Sequence, residues 1–398
     1  MEVGVVGKPN VGKSTMFNAL TLLDVPMAPF PFTTTSPHRG VGAVRVPCPH
    51  AERGTPCTPG NAKCVDGIRW VPVNLVDVPG LVPGAHEGKG LGHQFLDDLR
   101  ASDGFLQVVD ASGGTTAEGV LAAPGTHDPA EEVEWLEEEL VAWITSILSR
   151  DFERHARSVE LEGTKVEELV HARLTGLSIS PNAVAAALRA VPVDRAHPAS
   201  WTREERRQLA RALLSAAKPR LVAANKADRS TAESVATLAE RVAPIPVEAT
   251  CAEAELTLRR AARSGLVSYR PGDPTFSETE GRALTIGQRR ALVEVRAIQT
   301  RWGSTGVQTA IERMVFERLG QMVVFPVEDE QRWTDSRGRV LPDALIVPLH
   351  APARALAYRV HTDLGEHFIR AIDGRSHRAL GAEQPLEPGS VVRIVARK

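Results

Sequence analysis

Gly7-Lys8-Pro9-Asn10-Val11-Gly12-Lys13-Ser14 stands between a short apolar run, Val3-Gly4-Val5-Val6, and a stretch in which Phe17 and Leu20 share one helical face. Strand, glycine-bearing turn, then helix is the context in which backbone N–H groups converge on phosphate oxygens, with the positive end of the helix behind them. Lys8, Pro9, Asn10, Val11, Gly12, Lys13, Ser14 and Thr15 are therefore candidate nucleotide-binding residues. Lys13 is of a length to reach β- and γ-phosphates, and the Ser14 hydroxyl is a Mg²⁺ ligand by type. A second apolar run, Val71–Val76, ends in Asp77-Val78-Pro79-Gly80. A carboxylate at the end of such a strand can hold Mg²⁺ through water, and the Gly80 N–H is free to meet a γ-phosphate. Between the two lies Phe30-Pro31-Phe32-Thr33-Thr34-Thr35, a threonine loop of the kind that completes a Mg²⁺ shell only when the terminal phosphate is present.

Further along, Leu221-Val222-Ala223-Ala224 leads into Asn225-Lys226-Ala227-Asp228. After a strand, this order of side chains suits a guanine. The aspartate accepts from the ring N–H and the exocyclic amine, the lysine stem covers the base, and the asparagine ties the loop to the phosphate site. Adenine offers an acceptor and no donor at that edge, so the carboxylate would be left unpaired and adenine rejected. The small-residue stretch Cys251, Ala252 and Glu253, after Ile245–Ala249, can offer backbone N–H groups to the guanine oxygen.

The elements that position these residues imply more than one domain, as 398 residues do. The composition, 42% apolar and 24% charged, is that of a globular protein. A net charge of −2 gives no global basic field, which argues against DNA as a partner. The first strand begins almost at Met1 with no leader, and no apolar run is long enough to span a membrane, so the cytoplasm is the expected location. Asp128-Pro129-Ala130-Glu131 is a helix start, followed by Val133, Leu136, Leu140, Trp143 and Ile147 as an apolar stripe; the acidic residues Glu131 to Glu139 read as its solvated face. A second capping box, Thr202 to Glu205, opens another helix. Cys48, Cys57 and Cys64, with His50, could bind Zn²⁺, but they lack a tight Cys-x-x-Cys pair, so reduced free thiols are the expected state.

With these elements in place the chain resembles the Obg-related GTPases of the YchF type, in the branch with a guanine signature and a C-terminal TGS domain. The matching stretches are Gly7–Ser14, Phe32-Thr33-Thr34, Asp77 to Val82, the glycine run Gly84–Gly92, Asn225–Asp228, and a tail from Val324 through His361-Thr362-Asp363-Leu364-Gly365 to Val392. The resemblance implies an α/β fold, a mostly parallel P-loop GTPase sheet over residues 1–255 with a helical insertion at about 128–217. A helical segment over 256–320 and a β-grasp-like α+β TGS domain over 321–398 follow. It also implies Thr34 as the switch threonine and a catalytic glutamine replaced by Leu81, so that Lys13, Thr34 and Gly80 form the catalytic set. Ser14, Thr34 and Asp77 would hold Mg²⁺, and Asn10 would bind K⁺. His86 and His127 are further candidates for placing the attacking water. GTP and GDP are the implied ligands, and a ribosome or structured RNA the implied partner through the helical and TGS regions. By sequence the TGS charges nearly cancel, and the one cluster, Arg370, Arg375, His377 and Arg378, reads equally as a solvated face or a binding patch. Family members without Asn-Lys-x-Asp prefer ATP, whereas this chain has it intact. The competing expectations are an ATPase of the same fold and an RNA- or ribosome-binding module with negligible turnover.

Overall fold

A computed structural model describes residues 1–21, 38–78, 100–116 and 119–397. Thr34, Gly80, Leu81, His86 and the glycine run at 84–92 lie outside the described residues. In chain order, β1 (Glu2–Val6) and α1 (Lys13–Thr21) are followed by β2 (His38–Pro47), β3 (Lys63–Val65), β4 (Ile68–Asp77) and β5 (Gly104–Asp110). Five helices come next: α2 (Pro129–Ser149), α3 (Phe152–Glu162), α4 (Val166–Leu174), α5 (Pro181–Ala190) and α6 (Arg203–Ala217). Then come β6 (Arg220–Asn225), α7 (Ala232–Arg241), β7 (Val247–Ala249), α8 (Ala252–Arg263), β8 (Val267–Ser268), β9 (Ser277–Glu278), α9 (Ile286–Trp302) and α10 (Val307–Arg313). The chain closes with β10 (Gln321–Val327), β11 (Leu345–Pro348), α11 (Ala353–Val360), α12 (Thr362–Glu366), β12 (Phe368–Asp373), β13 (Ala379–Leu380) and β14 (Val391–Ala396).

The described chain forms two compact units. In the first, the end of β4 pairs with β1, and β1, β5, β6 and β7 continue the sheet in that order, every pair parallel. All seven residues of β5 and all six of β6 are buried, which is how strands read when helices cover both faces of a parallel sheet. These strands end at the same edge, so Asp77 at the end of β4 and the segments after β1, β5, β6 and β7 gather there; in such sheets this edge is where ligands bind.

The insertion between β5 and β6 packs in one core with the sheet residues Val6, Val76 and Phe105. Leu136, Leu140, Ile144 and Leu148 of α2 meet Leu209, Leu213 and Leu214 of α6, and the Phe152 and Trp201 rings stack 5.5 Å apart. Helix α2 starts where Asp128 accepts from the Ala130 N–H, with Pro129 needing no partner. Thr202 and Glu205 cap α6 reciprocally. The acidic run on α2 is not wholly solvated: Glu139 is buried and Glu132 largely so, because a helix this long turns more than one side toward neighbours.

In the second unit the five-stranded sheet runs β11-β10-β14-β12-β13, with β10 and β14 parallel and the remaining pairs antiparallel. Helix α11 lays Ala353, Leu356 and Ala357 on it, an α+β arrangement around Met322, Val324, Val347 and Val392. Residues 41–73 belong to this unit, and β3 with the first part of β4 makes a hairpin there. Arg375, from the basic cluster of the tail, is committed to Glu52 at 2.6 and 2.8 Å.

Candidate nucleotide site

The turn after β1 is built from backbone that only certain residues accept. Gly7 and Gly12 take φ of 153° and 94°. A Cβ on Gly7 would collide with the Val108 carbonyl, and one on Gly12 with the Asn225 side-chain amide. Asn10 is left-handed at φ 63°, which asparagine tolerates, and its Nδ2 donates to Gly119 O at 2.7 Å. Lys13 and Ser14 open α1. The Ser14 hydroxyl donates to Asp77 Oδ2 at 3.2 Å, and the Lys13 ammonium stands 3.9 Å from Asp77 Oδ1, beyond hydrogen-bond length. Among the described residues, Asp77 Oδ1 is buried with no hydrogen-bond partner. A buried carboxylate oxygen left open beside a hydroxyl and an ammonium is a donor set that fits Mg²⁺ and a phosphate. Burial holds the Lys13 pKa below its ordinary value, only partly offset by Asp77.

Asn225, at the end of β6, joins three segments. Its Nδ2 donates to Val11 O at 2.9 Å, its Oδ1 accepts from the Ala252 N–H at 2.9 Å, and the Thr250 hydroxyl lies 3.5 Å away. The phosphate turn and the loop carrying Asp228 are thereby fastened to one buried amide. Lys226 is left-handed at φ 61° and donates to Asp110 Oδ2 at 2.8 Å. Asp228 is exposed; Cys251 Sγ donates to its Oδ1 at 3.3 Å and Arg229 lies 3.5 Å from Oδ2. Burial, then the nearby Asp228 charge, pushes the Cys251 thiol up to about 12, so it stays protonated and donates. The Cys251 and Ala252 N–H groups are engaged inside the protein, on Thr305 O and Asn225 Oδ1. Among the three amides expected at a guanine oxygen this leaves that of Glu253, in the first turn of α8, where helical N–H groups lack intrahelical partners.

Several residues that position the site carry no motif. Asp110 lies level with Asn225 across β5 and β6 and accepts from Ser112, Thr115 and Lys226. Burial opposes its ionisation, but the Lys226 ammonium and the two hydroxyls outweigh it and hold the pKa below the usual value. Trp302 Nε1 donates to Ala227 O at 3.2 Å, bracing the Asp228 loop from the end of α9. Gly306, at φ 75°, packs against the Ala249 carbonyl so closely that no Cβ fits. The signals in the sequence were a second strand-terminal aspartate and a tryptophan just before Gly303; neither has a spacing that announces its target. His127 presents its backbone N–H to Gly113 O at 3.0 Å.

The Lys8 side chain turns inward. Its ammonium pairs with Glu132 at 2.6 Å and donates to Thr115 O at 2.6 Å, so only its backbone remains for a phosphate. Burial, more than the opposing Lys8 charge, pushes the Glu132 carboxyl from 4.5 up to about 7. A raised folded-state pKa gives stability that is complete below about pH 4.5 and is lost as pH rises through 7. Glu132→Gln should therefore flatten the fall in unfolding free energy between pH 5 and 8 by on the order of 3 kcal/mol. Denaturant unfolding of both proteins at the two pH values measures this; parallel curves would contradict it.

A parallel sheet with a glycine phosphate turn, a strand-terminal carboxylate facing it and an Asn-Lys-x-Asp loop at the same edge defines a P-loop GTPase fold. Three family comparisons agree: residues 2–145 match the family described as 50S ribosome-binding GTPase, 223–329 the Obg-like GTPase YGR210-like G4 motif-containing domain, and 338–396 the TGS domain. The chain is 43% identical over 395 residues, 99% of its length and 98% of the relative's, to an uncharacterized GTP-binding protein of Methanocaldococcus jannaschii. It is 39% identical over 35% of its length, and 36% of the relative's, to the ribosome-binding ATPase YchF of Haemophilus ducreyi. A crystal structure of a GTP-binding protein from Pyrococcus horikoshii matches it with a TM-score of 0.80 at 34% identity, each chain covered fully. The chain belongs to the Obg-related GTPases of the YchF type, with a C-terminal TGS domain. No helix among the described residues is long and apolar enough to cross a membrane.

Proposed function

We propose that this chain binds GTP with Mg²⁺, hydrolyses it to GDP and phosphate, and uses the cycle as a regulatory switch. The observation that carries the reading is the double engagement of Asn225, which sets a guanine-type carboxylate loop beside the phosphate turn. Asp228 accepts from the guanine edge, and Glu253 offers its N–H to the guanine oxygen. The backbone N–H groups of the turn between Lys8 and Thr15, Pro9 excepted, hold the phosphates, Lys13 places its ammonium between the β- and γ-phosphoryl groups, and Ser14 and Asp77 hold the cation. When bound, Mg²⁺ supplies charge neutralisation on the phosphates. Thr34 and Gly80 sense the γ-phosphate, and its loss releases the segments that carry them.

Leu81 cannot orient water, so the missing polar group must be replaced. Asn10 is suited to help: its amide nitrogen is engaged with Gly119 O, which leaves its oxygen as the acceptor for K⁺. A cation there does the work of an arginine finger. Phosphate release from GTP should be on the order of tenfold or more faster in K⁺ than in Na⁺ at equal ionic strength. Equal rates would remove the cation, and no release in either salt with ribosomes present would remove hydrolysis. The ribosome as partner is supported by the name of the Haemophilus ducreyi relative.

A further inference from the structure

Away from the nucleotide site, four metal-type donors converge in the second unit. Cys48 is the residue just before a single turn of 3₁₀ helix, Pro49–Glu52, which turns His50 back toward it. The Cys48 N–H donates to Gly67 O at 2.7 Å, seating that turn on the β3–β4 hairpin. Cys64 stands in β3 directly opposite Arg69 of β4, so both side chains share one face of the hairpin. The loop between brings in Cys57. Cys48 Sγ and Cys57 Sγ lie 3.9 Å apart, Cys64 Sγ and His50 Nδ1 3.6 Å apart, and all four donor atoms fall within 4.8 Å of one another.

The 3.9 and 3.6 Å separations are close to those of a coordination shell. Tetrahedral Zn²⁺ with Zn–S near 2.3 Å and Zn–N near 2.0 Å places its sulfurs about 3.8 Å apart and sulfur from nitrogen about 3.5 Å apart. A disulfide would need the sulfurs at about 2.05 Å. The second observation is Arg69. Its side chain is 0% exposed, its Nη2 donates to Cys48 Sγ at 3.4 Å and to Leu341 O at 2.9 Å, and among the described residues its Nε and Nη1 have no hydrogen-bond partner. A guanidinium buried among neutral thiols, with the Phe325 ring 5.5 Å from it, still lacks a counter-charge among the described residues, and such burial is costly.

We propose that Cys48, His50 (through Nδ1), Cys57 and Cys64 bind a structural Zn²⁺, and that Arg69 is its charge partner. Three thiolates, a neutral imidazole and Zn²⁺ sum to −1, which the Arg69 charge cancels, and the Arg69 N–H to Cys48 sulfur bond is the outer-shell contact such sites use. Binding displaces three thiol protons to solvent. Four protein ligands leave no open position, so the role is to hold shape rather than to react. What it holds is the segment that grips the TGS region within the same unit: Thr58 N–H on Val340 O at 2.8 Å, Gly60 N–H on Pro342 O at 2.6 Å, Asn61 exchanging two 3.0 Å bonds with Ala344, and Arg53 over the Trp333 ring at 4.4 Å.

The test is metal analysis of the full-length reduced protein purified without chelator, followed by Co²⁺ replacement. About one zinc per chain is expected, and the Co²⁺ protein should have sulfur-to-cobalt charge-transfer bands with the intense visible bands of tetrahedral cobalt. Arg69→Met, which leaves all four ligands, should weaken metal affinity roughly 10- to 100-fold. Cys64→Ser should lose the metal, and His50→Cys, which restores a four-ligand set, should keep it. Should Cys64→Ser fail to fold, the wild-type Co²⁺ spectrum decides alone. A folded, reduced wild-type chain without zinc and without a thiolate-cobalt spectrum would overturn the proposal, as would a spectrum unchanged in both His50→Ala and Cys64→Ser.

Discussion

Asp228→Asn should turn a guanine reader into a xanthine reader. The carboxylate accepts two hydrogen bonds from the guanine edge, and an amide in the same place presents a donor where guanine also presents one. Xanthine carries a carbonyl at that position and pairs with the amide. Sites built to satisfy a polar edge reject a mismatched partner strongly, because the buried groups then go unpaired. GTP affinity should fall by at least about 100-fold while XTP affinity rises past it. The carboxylate is aimed by its neighbours: the protonated Cys251 thiol donates to Oδ1 and Arg229 lies beside Oδ2. Calorimetric titration of both proteins with both nucleotides reads the exchange, and unchanged GTP affinity in the variant would contradict it.

Asn225→Ala should damage fold and binding together. The side chain is 3% exposed, and its loss leaves the Val11 carbonyl and the Ala252 N–H without their partner. Stranding two buried backbone groups costs about 2–4 kcal/mol, enough to lower the melting temperature by several degrees. Nucleotide affinity should fall further than stability explains, since the phosphate turn and the base loop are no longer set at a fixed spacing. Asn225→Asp separates the two contacts, because it keeps an acceptor for Ala252 and loses the donor to Val11. Melting curves with and without GTP make the comparison. A variant with the wild-type melting temperature and wild-type GTP affinity would show that the bridge is idle.

The parts of the fold that were legible in the chain are those where one residue type has few uses. Glycines at φ 153° and 94°, a lysine and serine opening a helix, and Asp77 closing an apolar strand are read directly, because backbone geometry and cation chemistry admit few substitutes. Thr202 and Glu205 are likewise a local signal for a local contact. What was not legible depended on distant partners. Glu132 looks like any solvated acid on α2 until Lys8 arrives from the turn after the neighbouring strand β1. Asp110 anchors Lys226 through a register between β5 and β6 that no spacing announces. The Cys251 and Ala252 amides were free by sequence and are taken by Thr305 and Asn225. The cysteine cluster was legible as four donors close in the chain, Cys48, His50, Cys57 and Cys64, but not its geometry, which a 3₁₀ turn and a hairpin supply rather than a short repeat.

The most direct test of the central claim is a crystal structure of the chain with a non-hydrolysable GTP analogue and Mg²⁺. One nucleotide should span the strand-end edge of the sheet, its guanine ring N–H and amine on the Asp228 carboxylate and its β,γ-phosphates under the turn amides and Lys13. A nucleotide whose base lies away from Asp228, or whose phosphates miss Lys13, would contradict it.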